Sequence, residues 1–155
     1  LIETYGWSVR RVQDFAPFAD EGLIPGRIIV QHRDSYVVVT DDGELRGKIS
    51  GHLLHAAEEA GYPAVGDWVA LAPNAAERTA TIHAVLPRRT AFVRRAATDS
   101  SQGLQVIAAN IDVAFVVTSL NADLNGRRIE RYLAAAWQSG ARPVVVLTKA
   151  DLCDD

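Results

Sequence analysis

Thr148-Lys149-Ala150-Asp151 is the stretch whose residue types and spacing best suit ligand chemistry. A carboxylate accepts two adjacent donors at once, and guanine presents such a pair in its N1 hydrogen and exocyclic N2 amine. Asp151 is the residue suited to read them. A base lacking those donors leaves the carboxylate unpaired, which costs several kcal/mol. Lys149 can lay its aliphatic stem across the base plane while its ammonium reaches outward. Ala150 keeps the turn tight, and Thr148 offers one hydroxyl to neighbouring loops. As an isolated string the tetrapeptide is common in solvated loops, so its weight rests on the elements around it.

Those elements have a definite order. Pro143 to Leu147 is a short apolar strand directly ahead of the tetrapeptide. Ile111 to Thr118 is a continuous apolar run of the kind that forms a strand buried on both faces. Between them a helix is predicted over Arg127 to Ser139, with Ile129, Leu133, Ala136 and Trp137 on its inner face, Asn125 as N-cap and Gly140 as stop. Strand, helix, strand makes a βαβ unit whose ligand site lies beyond the carboxyl ends of its strands, where residues 148 to 151 fall. No Gly-x-x-x-x-Gly-Lys-Ser/Thr phosphate loop precedes them.

Upstream the texture is β-rich. Strands are predicted at 27–32, 35–40, 45–49, 66–71 and 79–86, with a helical insert at 52–60. That strand count and inserted helix suit an OB-type five-stranded barrel, with an SH3-like barrel as its closest competitor. The chain divides into a lead-in (1–25), the barrel (26–87), an Arg-rich linker or loop (88–105) and the start of a second, α/β domain (106–155). In the lead-in, Tyr5, Trp7, Phe15 and Phe18 suggest a short amphipathic helix. Trp68 and Trp137 are expected in cores, and Asn110 and Asp112 are expected to pin the loop that leaves the barrel.

Two basic sets are candidates for nucleic-acid binding. Arg46 and Lys48 alternate on the third strand, while Arg88, Arg89, Arg94 and Arg95 crowd into eight positions. Arginine forks suit phosphate oxygens. Solvated strand polarity and a solvated interdomain link explain the same residues equally well.

Composition sets the outer limits. Of 155 residues 48% are hydrophobic and 23% charged, enough for a real core and unlike a disordered chain. A formal net charge of −3 argues against a whole-molecule cationic field, so any nucleic-acid contact is local. The single cysteine, Cys153, forms no internal disulfide, no Cys/His spacing resembles a metal site, and no apolar run reaches spanning length. A cytoplasmic protein without a membrane role is expected. Leu1 comes first and there is no methionine, so the chain reads as truncated, at both ends if the second domain is to be completed.

Four segments in this order resemble the small-ribosomal-subunit-dependent GTPase A (RsgA-like) family of circularly permuted GTPases: Pro63-Ala64-Val65-Gly66-Asp67-Trp68-Val69, Gln105 to Asp112, Arg128 to Leu133 and Val144 to Leu152. The resemblance implies an OB domain contacting ribosomal RNA and the opening of a permuted GTPase domain. The phosphate loop, switches and a zinc-binding domain would all follow residue 155. It further implies a GTP-hydrolysing factor, a monomer, that binds the small ribosomal subunit and assists its late maturation. GTP or GDP would sit on Thr148, Lys149, Ala150 and Asp151 with Mg2+, and Zn2+ would belong only to the later part. This chain alone is expected to be inactive in GTP hydrolysis. The family more often has Asn where this chain has Thr148. The alternative is a non-catalytic OB-fold RNA-binding module.

Overall fold

The structure is a computed structural model that describes residues 1–60, 62–95, 104–121 and 124–152. Its first half is a closed barrel of β1 (Ile24–Gln31), β2 (Tyr36–Thr40), β3 (Gly43–Ile49), β4 (Trp68–Asn74) and β5 (Thr79–Val85), in the order β1-β2-β3-β5-β4. β3 and β5 run parallel while every other pair is antiparallel. The parallel step requires a crossover, and α1, the insert Gly51–Ala60, lies within it. The Ser50 hydroxyl caps this helix by accepting from the Leu53 N–H at 3.1 Å. This topology is that of an OB barrel and excludes the SH3-like competitor.

Side chains alternate across a strand, and β4 shows the consequence. Val69 and Leu71 point into the barrel with Ile28, Tyr36, Val38 and Ile82. Trp68 and Ala70 point outward, yet they are buried too, under Ile2, Phe15 and Leu86. The cover is the N-terminal segment, a 3-10 turn at Ile2–Tyr5 and a helix, α2, at Val9–Ala19. Trp7 packs on Trp68 with ring centroids 4.9 Å apart and on Phe15 at 6.1 Å. The predicted amphipathic lead-in is therefore the lid of a second apolar layer, and its aromatic residues are that layer's content.

The stretch expected as an Arg-rich linker or loop is ordered differently over its described part. β6 (Ala91–Arg95) pairs antiparallel with β7 (Leu104–Ala109), which makes residues 91–95 one arm of a two-stranded sheet. Main-chain pairing across an intervening segment leaves no mark in local periodicity, so the arginines alone suggested a loop. The polar Thr98 to Gly103 lie outside the described residues.

The βαβ unit follows. β8 (Val113–Ser119) and β9 (Arg142–Thr148) pair in parallel, joined through α3 (Gly126–Ser139). The Asn125 side chain accepts from the Arg128 N–H at 3.1 Å, and Gly140 ends the helix at φ 86°. Both caps match the sequence reading. Burial does not: Phe115 is 68% exposed, Val117 62% and Trp137 65%, so β8 is covered on its Val116 and Thr118 face only, and the Trp137 side of α3 is uncovered among the described residues. Apolar runs signal burial only where a partner layer is present. No helix among the described residues is long and apolar enough to cross a membrane.

Candidate functional site

β8 and β9 end in register, Ser119 opposite Thr148, so the tetrapeptide begins where the parallel pair stops. The Leu120 N–H donates to the Thr148 carbonyl at 2.8 Å, and the Thr148 hydroxyl donates to the Thr118 carbonyl at 3.2 Å. These two bonds tie the start of the loop to the neighbouring strand. Lys149 then turns through the left-handed region at φ 59°, and Ala150–Leu152 close a 3-10 turn with the Leu152 N–H on the Lys149 carbonyl at 3.1 Å. A non-glycine residue at positive φ is uncommon, and it marks a turn held by its surroundings. Thr148, Lys149, Ala150 and Asp151 are all exposed.

The basic candidates are sorted by the structure. Arg46 and Lys48 lie on the outer, exposed face of β3, as their alternation predicted. Beside Arg46 an open depression of about 320 Å³ is lined by His32, Val37, Glu44, Leu45, Arg46 and Arg78. Sequence reasoning missed His32 and Arg78 there, because they come from separate turns and share no spacing. Arg94 is exposed on β6 and donates to Gln105 Oε1 at 3.1 and 3.2 Å. The Arg95 side chain lies outside the described residues. Arg89 is half-exposed and paired with Asp112.

Arg88 has another duty. Its Nε and Nη2 donate to the two oxygens of the fully buried Asp67 at 2.8 and 2.7 Å, and Nη2 also reaches the Tyr62 carbonyl at 3.1 Å. Asp67 accepts the Ala64 N–H as well, at 2.8 Å. The hydrogen bonds to Asp67 outweigh burial and raise the Arg88 guanidinium above its ordinary range. Arg88 is thus a buttress of the turn ahead of β4, and its side chain is spent there.

Asn110 and Asp112 do pin the chain where it leaves the barrel. Asn110 is buried and bonds to Arg11, Arg89 and Gly66, while the Asp112 carbonyl accepts the Arg142 N–H at 3.0 Å at the head of β9. At Gly66, φ is 90° and an added Cβ would overlap the Ala109 carbonyl oxygen, so only glycine lets β7 pass this close. Among the described residues no group of three or more His, Cys, Asp or Glu stands close enough to hold a metal ion.

A closed OB barrel leading into a parallel βαβ unit, with the loop Thr148 to Asp151 at its carboxyl edge, is the fold of a circularly permuted GTPase over its barrel and opening G-domain elements. Two solved structures share it. YloQ, described as a circularly permuted GTPase, matches with a TM-score of 0.64 at 20% identity over 86% of this chain and 43% of that one. YjeQ from Thermotoga maritima matches at 0.65 and 21% over 86% and 44%. The RsgA GTPase family model matches residues 85–155. The small ribosomal subunit biogenesis GTPase RsgA 2 of Lactiplantibacillus plantarum is 52% identical over 88% of this chain and 38% of that protein. RsgA of Opitutus terrae is 47% identical over 99% and 44%. The chain is thus similar to RsgA GTPases, and it spans about two-fifths of the length of these relatives.

Proposed function

We propose that this chain supplies the guanine-reading loop and the RNA-facing barrel of a GTP-hydrolysing factor for small-ribosomal-subunit maturation. The observation that carries the reading is the loop itself: a Thr-Lys-Ala-Asp turn anchored to β8 through Thr148, at the carboxyl edge of a parallel pair, in a chain whose relatives are named small ribosomal subunit biogenesis GTPases. Asp151 accepts the guanine N1 and N2 hydrogens, Lys149 lies along the base, and Ala150 leaves room for it. Thr148 holds the loop by its hydroxyl, doing with one donor what an amide would do with more. Phosphoryl transfer needs a phosphate cradle and Mg2+. The proposal assigns those, and Zn2+, to no residue of this chain, which alone does not hydrolyse GTP.

Toward RNA the reading uses Arg46 and Lys48 on β3 and Arg89, Arg94 and Arg95 around β6, with Arg88 retained as their internal support. The protein would work as a cytoplasmic monomer. Domain limits of 26–87 for the barrel and 106 onward for the GTPase part follow the same reading.

The test for guanine is Asp151→Asn in the intact protein. One acceptor becomes a donor facing the N2 amine, so GTP affinity falls by about 100-fold or more. Xanthosine triphosphate, with a carbonyl at that position, gains relative to GTP. Unchanged GTP affinity removes Asp151 from the base site. For RNA, reversing Arg46, Lys48, Arg89 and Arg94 to Glu reduces affinity for small-subunit RNA and flattens its salt dependence by roughly 0.7–0.9 per lost phosphate contact. An unaltered slope sinks the patch. The second reading, an RNA-binding module without catalysis, draws on the barrel being closed with its own core. Failure of the intact protein to bind GTP would select it.

A further inference from the structure

Asn110 gathers segments that are far apart in the chain. Its Oδ1 accepts from Arg11 Nη2 at 2.7 Å and from the Arg89 N–H at 2.9 Å, and its Nδ2 donates to the Gly66 carbonyl at 3.0 Å. Its backbone N–H donates to the Thr90 carbonyl at 2.8 Å and its own carbonyl accepts Arg27 Nη2 at 3.1 Å. The N-terminal helix, β1, the turn before β4 and the chain leaving β5 therefore all meet at one buried residue, three of them at its side-chain amide and β1 at its main-chain carbonyl. Asparagine suits the place twice over, since it tolerates the left-handed φ of 55° found here and offers donors and acceptors together.

The charges around this amide are unbalanced. Arg11 is 3% exposed, and it holds Asp14 at 3.1 Å and the Pro87 carbonyl at 2.6 Å. Burial pushes the Arg11 and Arg27 guanidiniums down, and Arg89 adds like-charge repulsion to both. Asp14 and Asp112 offset this only in part. Asn110 thus joins three arginine-bearing segments without adding charge: its side chain accepts from the Arg11 guanidinium and the Arg89 backbone, and its main-chain carbonyl accepts from Arg27.

Directly downstream, the βαβ unit hangs from the same point. The Ile111 N–H donates to the Thr90 hydroxyl at 2.7 Å and that hydroxyl donates to the Ile111 carbonyl at 2.9 Å. The Gly140 stop of α3 lies against Thr90. Asp112 holds the head of β9, and β9 ends at the Thr148 loop.

We propose that Asn110 is the locking residue of a rigid joint between barrel and βαβ unit, through which RNA on the barrel and nucleotide on the Thr148 loop alter each other's affinity. The idea rests on the RNA and guanine assignments made above. Asn110 touches neither ligand and is a positioning residue. Coupling of this kind is reciprocal: whatever factor the small subunit applies to nucleotide affinity, nucleotide applies to subunit affinity.

The test uses the intact protein, a non-hydrolysable GTP analogue and purified small ribosomal subunits, measuring each affinity with and without the other ligand. Wild type is expected to show a coupling factor of about fivefold or more, equal in both directions. Asn110→Ala brings that factor close to one while analogue affinity without subunits stays at the wild-type value. Asn110→Asp, which keeps the acceptor for Arg11 and Arg89, retains part of it. If Asn110→Ala does not fold, Arg11→Met carries the same test, because it removes one arm of the joint and leaves a volume-filling side chain. Wild-type coupling in a folded Asn110→Ala or Arg11→Met protein overturns the proposal, as does a wild type without coupling. A wild type that binds no GTP analogue at all points instead to failure of the guanine assignment.

Discussion

The barrel and the βαβ unit are built from similarly apolar strands, but they stand at opposite ends of completeness. In β4 both faces are covered, one by the barrel interior and one by the N-terminal lid, and Trp68 is 2% exposed. In β8 the alternate residues Phe115 and Val117 stand in the open, and β9 repeats this with Leu147 at 47%. Closure makes the difference, because a barrel has no free edge and supplies its own second layer, whereas a two-stranded parallel pair needs further strands and helices. The barrel half thus has a core on both faces of β4, and the βαβ unit leaves one face of β8 uncovered among the described residues.

The largest expected effect that probes this contrast is at Trp68. Trp68→Ala removes the centre of the outer layer and destabilises the barrel by about 3–5 kcal/mol in denaturant unfolding. A cost below about 1 kcal/mol would show that the N-terminal lid adds little. Next comes Asp67→Ala, which strands the Arg88 guanidinium and the Ala64 N–H. About 3 kcal/mol is expected, and Arg88→Met should cost at least as much, because it leaves the fully buried Asp67 carboxylate without its counter-charge. Asn125→Ala removes the α3 cap and costs about 1 kcal/mol, read by hydrogen exchange in α3 while exchange in the barrel stays unchanged. The smallest effect belongs to Phe115→Ser, within about 0.5 kcal/mol for the 155-residue chain, accompanied by less self-association at high concentration. In the intact protein the same change should cost several times more, and equal costs in both would erase the distinction between the two halves.

How far the sequence reveals this arrangement depends on the range of the forces involved. Strand alternation and helix caps are local, so β1 to β5, the inserted helix, Asn125 and Gly140 are all readable from neighbouring residues. The loop at 148–151 is readable for the same reason, since its meaning comes from the strand directly before it. Long-range partners are not. Nothing near Arg88 announces Asp67, 21 positions away, and Arg88 looks like its solvent-facing neighbours. Arg11 carries no sign that it will be buried against Asn110. Trp137 obeys the helical period and still lies outside, because periodicity names a face without naming what covers it.

The parallel pairing of β3 with β5 also bears on the order of events during synthesis. The contacts that close the barrel join Arg27 to Trp68 and Lys48 to Thr81, and its last strand ends at Val85. These are non-local pairings, which form slowly, and domains fold as units from the N-terminus as the chain emerges. Every barrel strand precedes Asn110 in the chain, so the barrel can close without Asn110, and β9 with its loop is added last.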